Sequence, residues 1–154
     1  MRAFHRQPAF TLIELVVVLF IVGMLAAVAA PRFAGSAVRQ RVDAAARRVA
    51  VDLNLARRHA YQSSTSQTVT FDVSANSYKL AGMPDPDRPT VDYEVDLNGE
   101  PFQAELLSAN FSGNAKVIFD AYGMPDFGGV VVVAVGDEQR TINVDPDTGE
   151  AYLP

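Results

Sequence analysis

One apolar run near the start constrains this chain more than any other feature. Residues 10–30 are almost all aliphatic or aromatic, and the only charge among them is Glu14. As a helix rising ~1.5 Å per residue, such a run reaches about 30 Å, the depth of a bilayer's hydrocarbon core. Helices buried in soluble proteins rarely run so far without a polar face. The run therefore reads as a membrane-spanning segment. Residues 1–9 before it are short and polar, with Arg2, His5 and Arg6, like the basic head of an export signal. An ordinary secretory signal is the alternative, and Ala27-Val28-Ala29 would offer its cleavage site. Against it, the run exceeds a signal core of ~7–15 residues and encloses a carboxylate. Within hydrocarbon a carboxylate costs about 2.5–3.5 kcal/mol on insertion scales and normally has a partner and a task. Glu14 stands near the head of the run, so a shallow, idle position among lipid headgroups is also open to it.

Charge divides the chain. Residues 1–58 carry nine arginines against Glu14, Asp43 and Asp52, a formal +6. Residues 59–154 carry Lys79, Arg88, Lys116 and Arg140 against fifteen acids, a formal −11. The acidic part suits nucleic acid poorly, because phosphate binding draws on Lys and Arg. With no cysteine, a disulfide framework, a thiolate metal site and a cysteine nucleophile are excluded.

Pro31 follows the apolar run, where it would break or kink a helix, and Gly35 loosens the same stretch. Beyond it Val38, Val42, Ala45, Val49, Leu53, Ala56 and Ala60 recur at three- and four-residue steps. That spacing predicts an amphipathic helix ending near Ser63-Ser64-Thr65, its arginines mostly off the stripe on a solvated or interface face. Asp43 and Arg47 are placed for an i,i+4 pair. From Gln67 the period becomes two. Val69, Phe71 and Val73 alternate with polar residues, and Ser74-Ala75-Asn76 turns into a strand at 77–80. Residues 83–89 hold three prolines and read as an exposed loop. Val91, Tyr93, Val95 and Leu97 alternate again before the turn pair Asn98-Gly99. Further strands are expected at 105–107, 115–120, 130–135, 139–145 and 150–153. The unbroken Val130-Val131-Val132-Val133 run suits a strand covered on both faces, and the helix stripe is a natural cover for the sheet.

Pro8-Ala9-Phe10-Thr11-Leu12-Ile13-Glu14-Leu15, followed by Val16-Val17-Val18-Leu19, resembles the class III signal of type IV pilins and type II secretion pseudopilins. The resemblance implies that prepilin peptidase cuts between Ala9 and Phe10 and methylates the new amine of Phe10. It also implies that Glu14 is the assembly carboxylate. Glycine usually precedes the cut in that family; Ala9 is the next smallest residue. Low dielectric strengthens attraction between opposite charges, so Glu14 can neutralise the amine of an incoming neighbour and set its axial register. Counting basic flanks, Arg2 and Arg6 against Arg32, Arg39, Arg41, Arg47 and Arg48, would keep the acidic part in the cytoplasm. The resemblance implies the reverse: a cytoplasmic leader and an exported domain.

Later segments narrow the likeness to the H-type minor pseudopilins, the GspH/FimT class. They are Leu55-Ala56-Arg57-Arg58-His59-Ala60, Val117-Ile118-Phe119-Asp120-Ala121-Tyr122-Gly123-Met124-Pro125, and Asp147-Thr148-Gly149. The fold implied is α+β, a long N-terminal helix packed on an antiparallel β-sheet domain. Its parts would be a leader at 1–9, a transmembrane and assembly helix at 10–31, an amphipathic helix at 32–65 and a β-rich domain at 66–154. The role implied is a structural subunit of a type II secretion pseudopilus, anchored in the bacterial inner membrane with its domain in the periplasm. Implied partners are prepilin peptidase, other major and minor pseudopilins, an inner-membrane assembly platform and membrane lipid. A minor type IV pilin of the FimT kind, some of which take up DNA, is the nearest alternative. A secreted binding protein released by signal peptidase is the other.

Residues for catalysis are sparse. His5 belongs to the leader, and His59 sits among arginines with no partner group apparent, which suits a surface residue. No phosphate loop, zinc spacing or nucleophile elbow occurs, and no cofactor or catalytic residue is assigned. Asp145-Pro146-Asp147-Thr148-Gly149-Glu150 superficially resembles the start of a calcium loop. It lacks the third oxygen ligand and the distant glutamate, so a hairpin turn is the expectation.

Overall fold

The structure, a computed structural model, describes residues 11–154, with the side chains of 28–34 excepted. Ala9 and Phe10, and with them the expected cut, lie outside the described residues. The chain divides into two units, Met1–Ala37 and Val38–Pro154.

In the first unit, α1 (Leu12–Ser63) begins at a capped end. Thr11 accepts the Glu14 backbone N–H on its side chain (3.2 Å), and its carbonyl accepts the first helical bond, from Leu15 N–H (3.2 Å). Thr11 and Glu14 thus stand at the N-cap and third helical positions of a Thr-x-x-Glu start. Every described side chain from 11 to 27 is exposed. Among the described residues no helix is long and apolar enough to cross a membrane; the apolar run of the sequence extends past the described side chains at both ends. The helical backbone passes through Pro31 without ending there. A proline inside a helix removes one bond to the carbonyl four residues back, and the ladder on either side still holds the backbone.

In the second unit the expected stripe is the buried one from Val42 onward, joined by Ala46, while Val38 at its start is only half-buried. Val42, Ala45, Ala46, Val49, Leu53, Ala56 and Ala60 are at most 1% exposed. Full burial of a Val or Leu stabilises by about 1.5–3 kcal/mol, so this face anchors the helix to the domain. The helix closes where expected: Ser64 takes a left-handed conformation (φ 52°), and Thr65 N–H reaches back to the Ala60 carbonyl (3.3 Å).

Eight strands follow: β1 (Gln67–Asp72), β2 (Ser77–Pro84), β3 (Asp92–Asp96), β4 (Glu105–Asn110), β5 (Lys116–Phe119), β6 (Gly129–Val135), β7 (Glu138–Val144) and β8 (Ala151–Tyr152). They form two antiparallel four-stranded sheets, ordered β3-β2-β1-β5 and β4-β6-β7-β8. Asn98-Gly99 therefore carries the chain from the first sheet to the second. Asn76 ties the two: its carbonyl accepts Leu97 N–H (2.9 Å) and its side-chain oxygen accepts Leu106 N–H (2.8 Å). Helix stripe and inner strand residues share one core, in which Phe71 lies against Tyr78 (5.7 Å) and Phe111 (5.8 Å).

Local details depart from the sequence pattern. β1 stops at Asp72, whose carboxylate accepts the Ser74 hydroxyl (2.6 Å) and Ala75 N–H (3.0 Å), and this leaves Val73 exposed in the turn. β2 runs on to Pro84, inside the expected loop, through an irregular register opposite Asp92. In β6, Val131 and Val133 are buried, but Val130 is 38% exposed and Val132 half-buried, so only one face is fully covered.

One acid lies on the buried stripe. Asp52 accepts bonds from Arg48 Nε (2.8 Å), the Tyr78 hydroxyl (2.6 Å) and the Tyr93 hydroxyl (3.3 Å). Arg48 also donates to the Tyr93 hydroxyl. This network joins α1 to β2 and β3. Burial and then the Asp52 charge push the Tyr78 phenol well above its ordinary range. Burial would lower the Arg48 guanidinium, but its bond and charge pairing with Asp52 outweigh that and raise it.

Candidate assembly site

The first candidate surface is the head of α1. Twelve large apolar side chains between Leu12 and Leu25 are 47–81% exposed. They ring the helix rather than line one face, so no single groove in this chain could bury them. Glu14, at the third helical position, is exposed beside them, and its charge complements the positive end of the helix dipole. The sequence reading missed the Thr11 cap, although Thr-x-x-Glu before an apolar run is its signal.

A second surface forms where α1 ends. The three later segments of the sequence, which lie far apart along the chain, meet here around Arg57. Asp120 ties the first turn: its carboxylate accepts Tyr122 N–H (2.8 Å) and Met124 N–H (2.9 Å), and its carbonyl accepts Gly123 N–H (2.9 Å). Asp145 ties the second: its carboxylate accepts Asp147 N–H (2.9 Å) and Thr148 N–H (2.8 Å), and its carbonyl accepts Gly149 N–H (2.9 Å). Those backbone bonds, Thr148's first, hold the Asp145 carboxyl below the usual carboxylate range. The superficial calcium sequence is thus a self-capped hairpin turn, its first carboxylate committed to its own backbone.

His59 is half-buried and pairs through Nδ1 with the Gln67 side-chain oxygen (3.1 Å); Gln67 in turn donates to the Ala81 carbonyl (2.6 Å). It has a structural partner that the sequence did not disclose. Asp43, spaced for Arg47, instead accepts from Arg140 of β7 (2.6 Å), because the folded chain brings that guanidinium across. Arg39 meets Glu138 (3.0 Å). Among the described residues Arg41, Arg47, Arg57 and Arg58 make no ion pair, and no group of three or more candidate metal ligands occurs.

Known proteins place this architecture. Residues 4–30 match the prokaryotic N-terminal methylation motif. No curated protein matches the chain in sequence. The type IV minor pilin FimU of Pseudomonas aeruginosa is similar in structure, with a TM-score of 0.57 at 14% identity over 75% of this chain and 90% of that one. So is the minor pseudopilin EpsH from the Type 2 Secretion System of Vibrio cholerae, with a TM-score of 0.55 at 15% identity over 74% of this chain and 96% of that one. The fold is therefore pilin-like, as expected. Residues 45–148 match the model of the type II transport protein GspH, and with well over half of its length covered the chain belongs to that family.

Proposed function

We propose that this chain is a minor pseudopilin, a structural subunit of the type II secretion pseudopilus that drives proteins across the outer membrane. Its N-terminal helix holds it in the bacterial inner membrane, and its β-rich unit stands in the periplasm. The observation that carries the reading is the helix head, where twelve large apolar side chains between Leu12 and Leu25 are 47–81% exposed. A helix apolar all round is at home in lipid or among like helices, and packing exchanges one setting for the other. That is what a subunit needs if it waits in a membrane and then enters a filament.

Prepilin peptidase would cut between Ala9 and Phe10 and methylate Phe10. A carboxylate left in hydrocarbon is costly without a counter-charge. Glu14 therefore takes the cationic amine of a neighbouring subunit, which fixes axial register. Intact-mass and N-terminal analysis of the chain from its own cells tests the cut: a methylated start at Phe10 supports it. A chain keeping residues 1–9, or starting at Ala30, overturns it. Glu14→Ala should be processed yet fail to co-sediment with the pseudopilus; normal co-sedimentation refutes the register role.

A minor type IV pilin is the second reading, supported by the likeness to FimU. Deletion of the chain separates the two. Loss of secretion with pili intact supports the pseudopilus, and loss of pili with secretion intact supports the pilus.

A further inference from the structure

Arg57, Arg58, Tyr61 and Gln62 of α1, with Tyr122 and Gly123 of the β5–β6 turn, line a surface cavity of about 380 Å³. The aliphatic arm of Arg57 is held by the fold. A Cβ on Gly123 would stand 3.2 Å from Arg57 Cγ, and one on Gly149 would stand 3.4 Å from Arg57 Cδ and 2.6 Å from the Gly123 carbonyl. Both glycines have positive φ, 76° and 69°, which residues with a side chain rarely adopt. The two aspartate-tied turns thus close on each other and grip the arm of Arg57. An arm already immobilised loses little further freedom when its head binds something.

Among the described residues that head has no partner. The side chains of Arg57 and Arg58 make neither an ion pair nor a hydrogen bond among the described residues, although fifteen acids lie beyond residue 58. Tyr61 and Tyr122, 65% and 80% exposed, form the walls. Two guanidinium groups suit a carboxylate, which they can hold bidentately. Tyrosine walls supply rigid amphipathic contact area of the kind that dominates recognition surfaces. The volume accepts a few side chains rather than a large body. A nucleic acid fits less well, because its continuous phosphates would face the −11 of residues 59–154. A peptide bringing one or two carboxylates meets the arginines and little of that repulsion.

We propose that this cavity docks an acidic peptide segment of a neighbouring protein subunit, its carboxylate on Arg57 and Arg58 and its adjacent side chains between Tyr61 and Tyr122. The neighbour's origin rests on the subunit reading above; the chemistry of the pocket does not.

The test places photoreactive benzoylphenylalanine at Tyr122 of the full chain in its own cells, with adducts sequenced by mass spectrometry. The expected adduct is an acidic peptide of another envelope protein. It should fall at least tenfold in Arg57→Gln/Arg58→Gln and persist in Arg47→Gln, a control on an exposed arginine elsewhere on α1. Replacing the captured acids by lysine should restore the adduct in Arg57→Glu/Arg58→Glu. An adduct with nucleic acid or lipid, one indifferent to both arginines, or none at all overturns the proposal. The same samples are scored for a start at Phe10 and for co-sedimentation. Processed, co-sedimenting chains without the adduct refute the pocket alone, whereas unprocessed chains refute the subunit reading and leave the adduct to report on the pocket.

Discussion

Replacing Asp52 by alanine should destabilise the second unit by about 2–4 kcal/mol, and most of that should come from one stranded hydroxyl. Asp52 is 2% exposed and accepts bonds from Arg48, Tyr78 and Tyr93. Arg48 loses little, because its side chain is 42% exposed and can turn to water; pairs with that much solvent are worth at most ~1 kcal/mol. Tyr93 makes the longest of the three bonds (3.3 Å) and keeps Arg48 as a donor to its hydroxyl, whereas Tyr78 has no such exit. It is 1% exposed, and a buried donor left without an acceptor costs about 1–3 kcal/mol. The lost carboxylate volume adds a small cavity term. Tyr78→Phe alone should cost less, about 1.5 kcal/mol, since Asp52 keeps Arg48 and Tyr93.

The double variant is the sharp case. With the stranded hydroxyl removed, Asp52→Ala/Tyr78→Phe should fall short of the sum of the single costs by at least ~1 kcal/mol. Urea unfolding of the full chain in mild detergent would measure this, followed by tyrosine circular dichroism because the chain has no tryptophan. Single costs that simply add, or an Asp52→Ala cost below ~0.5 kcal/mol, would refute the network as the fastener between α1 and the first sheet.

Gly129→Ala should destabilise by about 1–3 kcal/mol in the same assay, since its Cβ would stand 2.3 Å from Phe111 Cδ1 and 2.5 Å from the Asn110 carbonyl. Gly99→Ala, with nothing nearer than 3.5 Å, should stay within about 0.5 kcal/mol of the parent. Arg140→Ala removes the pairs with Asp43 and Glu138, but both carboxylates are already open to water at 42% and 35% exposure; a loss of about 1 kcal/mol or less that shrinks in salt is expected. Tyr78 has a folded pKa above its unfolded one, so its contribution is complete below about pH 10 and is lost as pH rises beyond that. Unfolding midpoints measured from about pH 9 to pH 11.5 should therefore fall less steeply in Tyr78→Phe than in the parent.

Much of the second unit was legible locally. The 3.6-residue recurrence from Val42 to Ala60 marks the buried face because neighbours on a helix surface are close in sequence. All eight strands form where alternation, short apolar runs and turn residues place them, and Ser63-Ser64-Thr65 does contain the helix end. Other features are long-range and left no local trace. β5 pairs with β1 across about fifty residues, Gln67 facing Phe119, so the division into two sheets depends on distant partners rather than on period. Asp43 chose Arg140 over Arg47 for the same reason. Asp52 was detectable in principle, as an acid three residues from Val49 on the apolar stripe, but its tyrosine partners were not.

The sequence alone determined the apolar head of α1, the carboxylate set within it, the buried stripe, and the split between a basic start and an acidic remainder. These are properties of composition and spacing, which each residue carries wherever the chain goes. Tertiary structure alone decided that two aspartate-tied turns from separate parts of the chain clamp Arg57, and that Asp52 fastens the helix to two strands. Such arrangements need groups far apart in sequence to meet at hydrogen-bonding distance, and only folding determines which of many compatible partners do so.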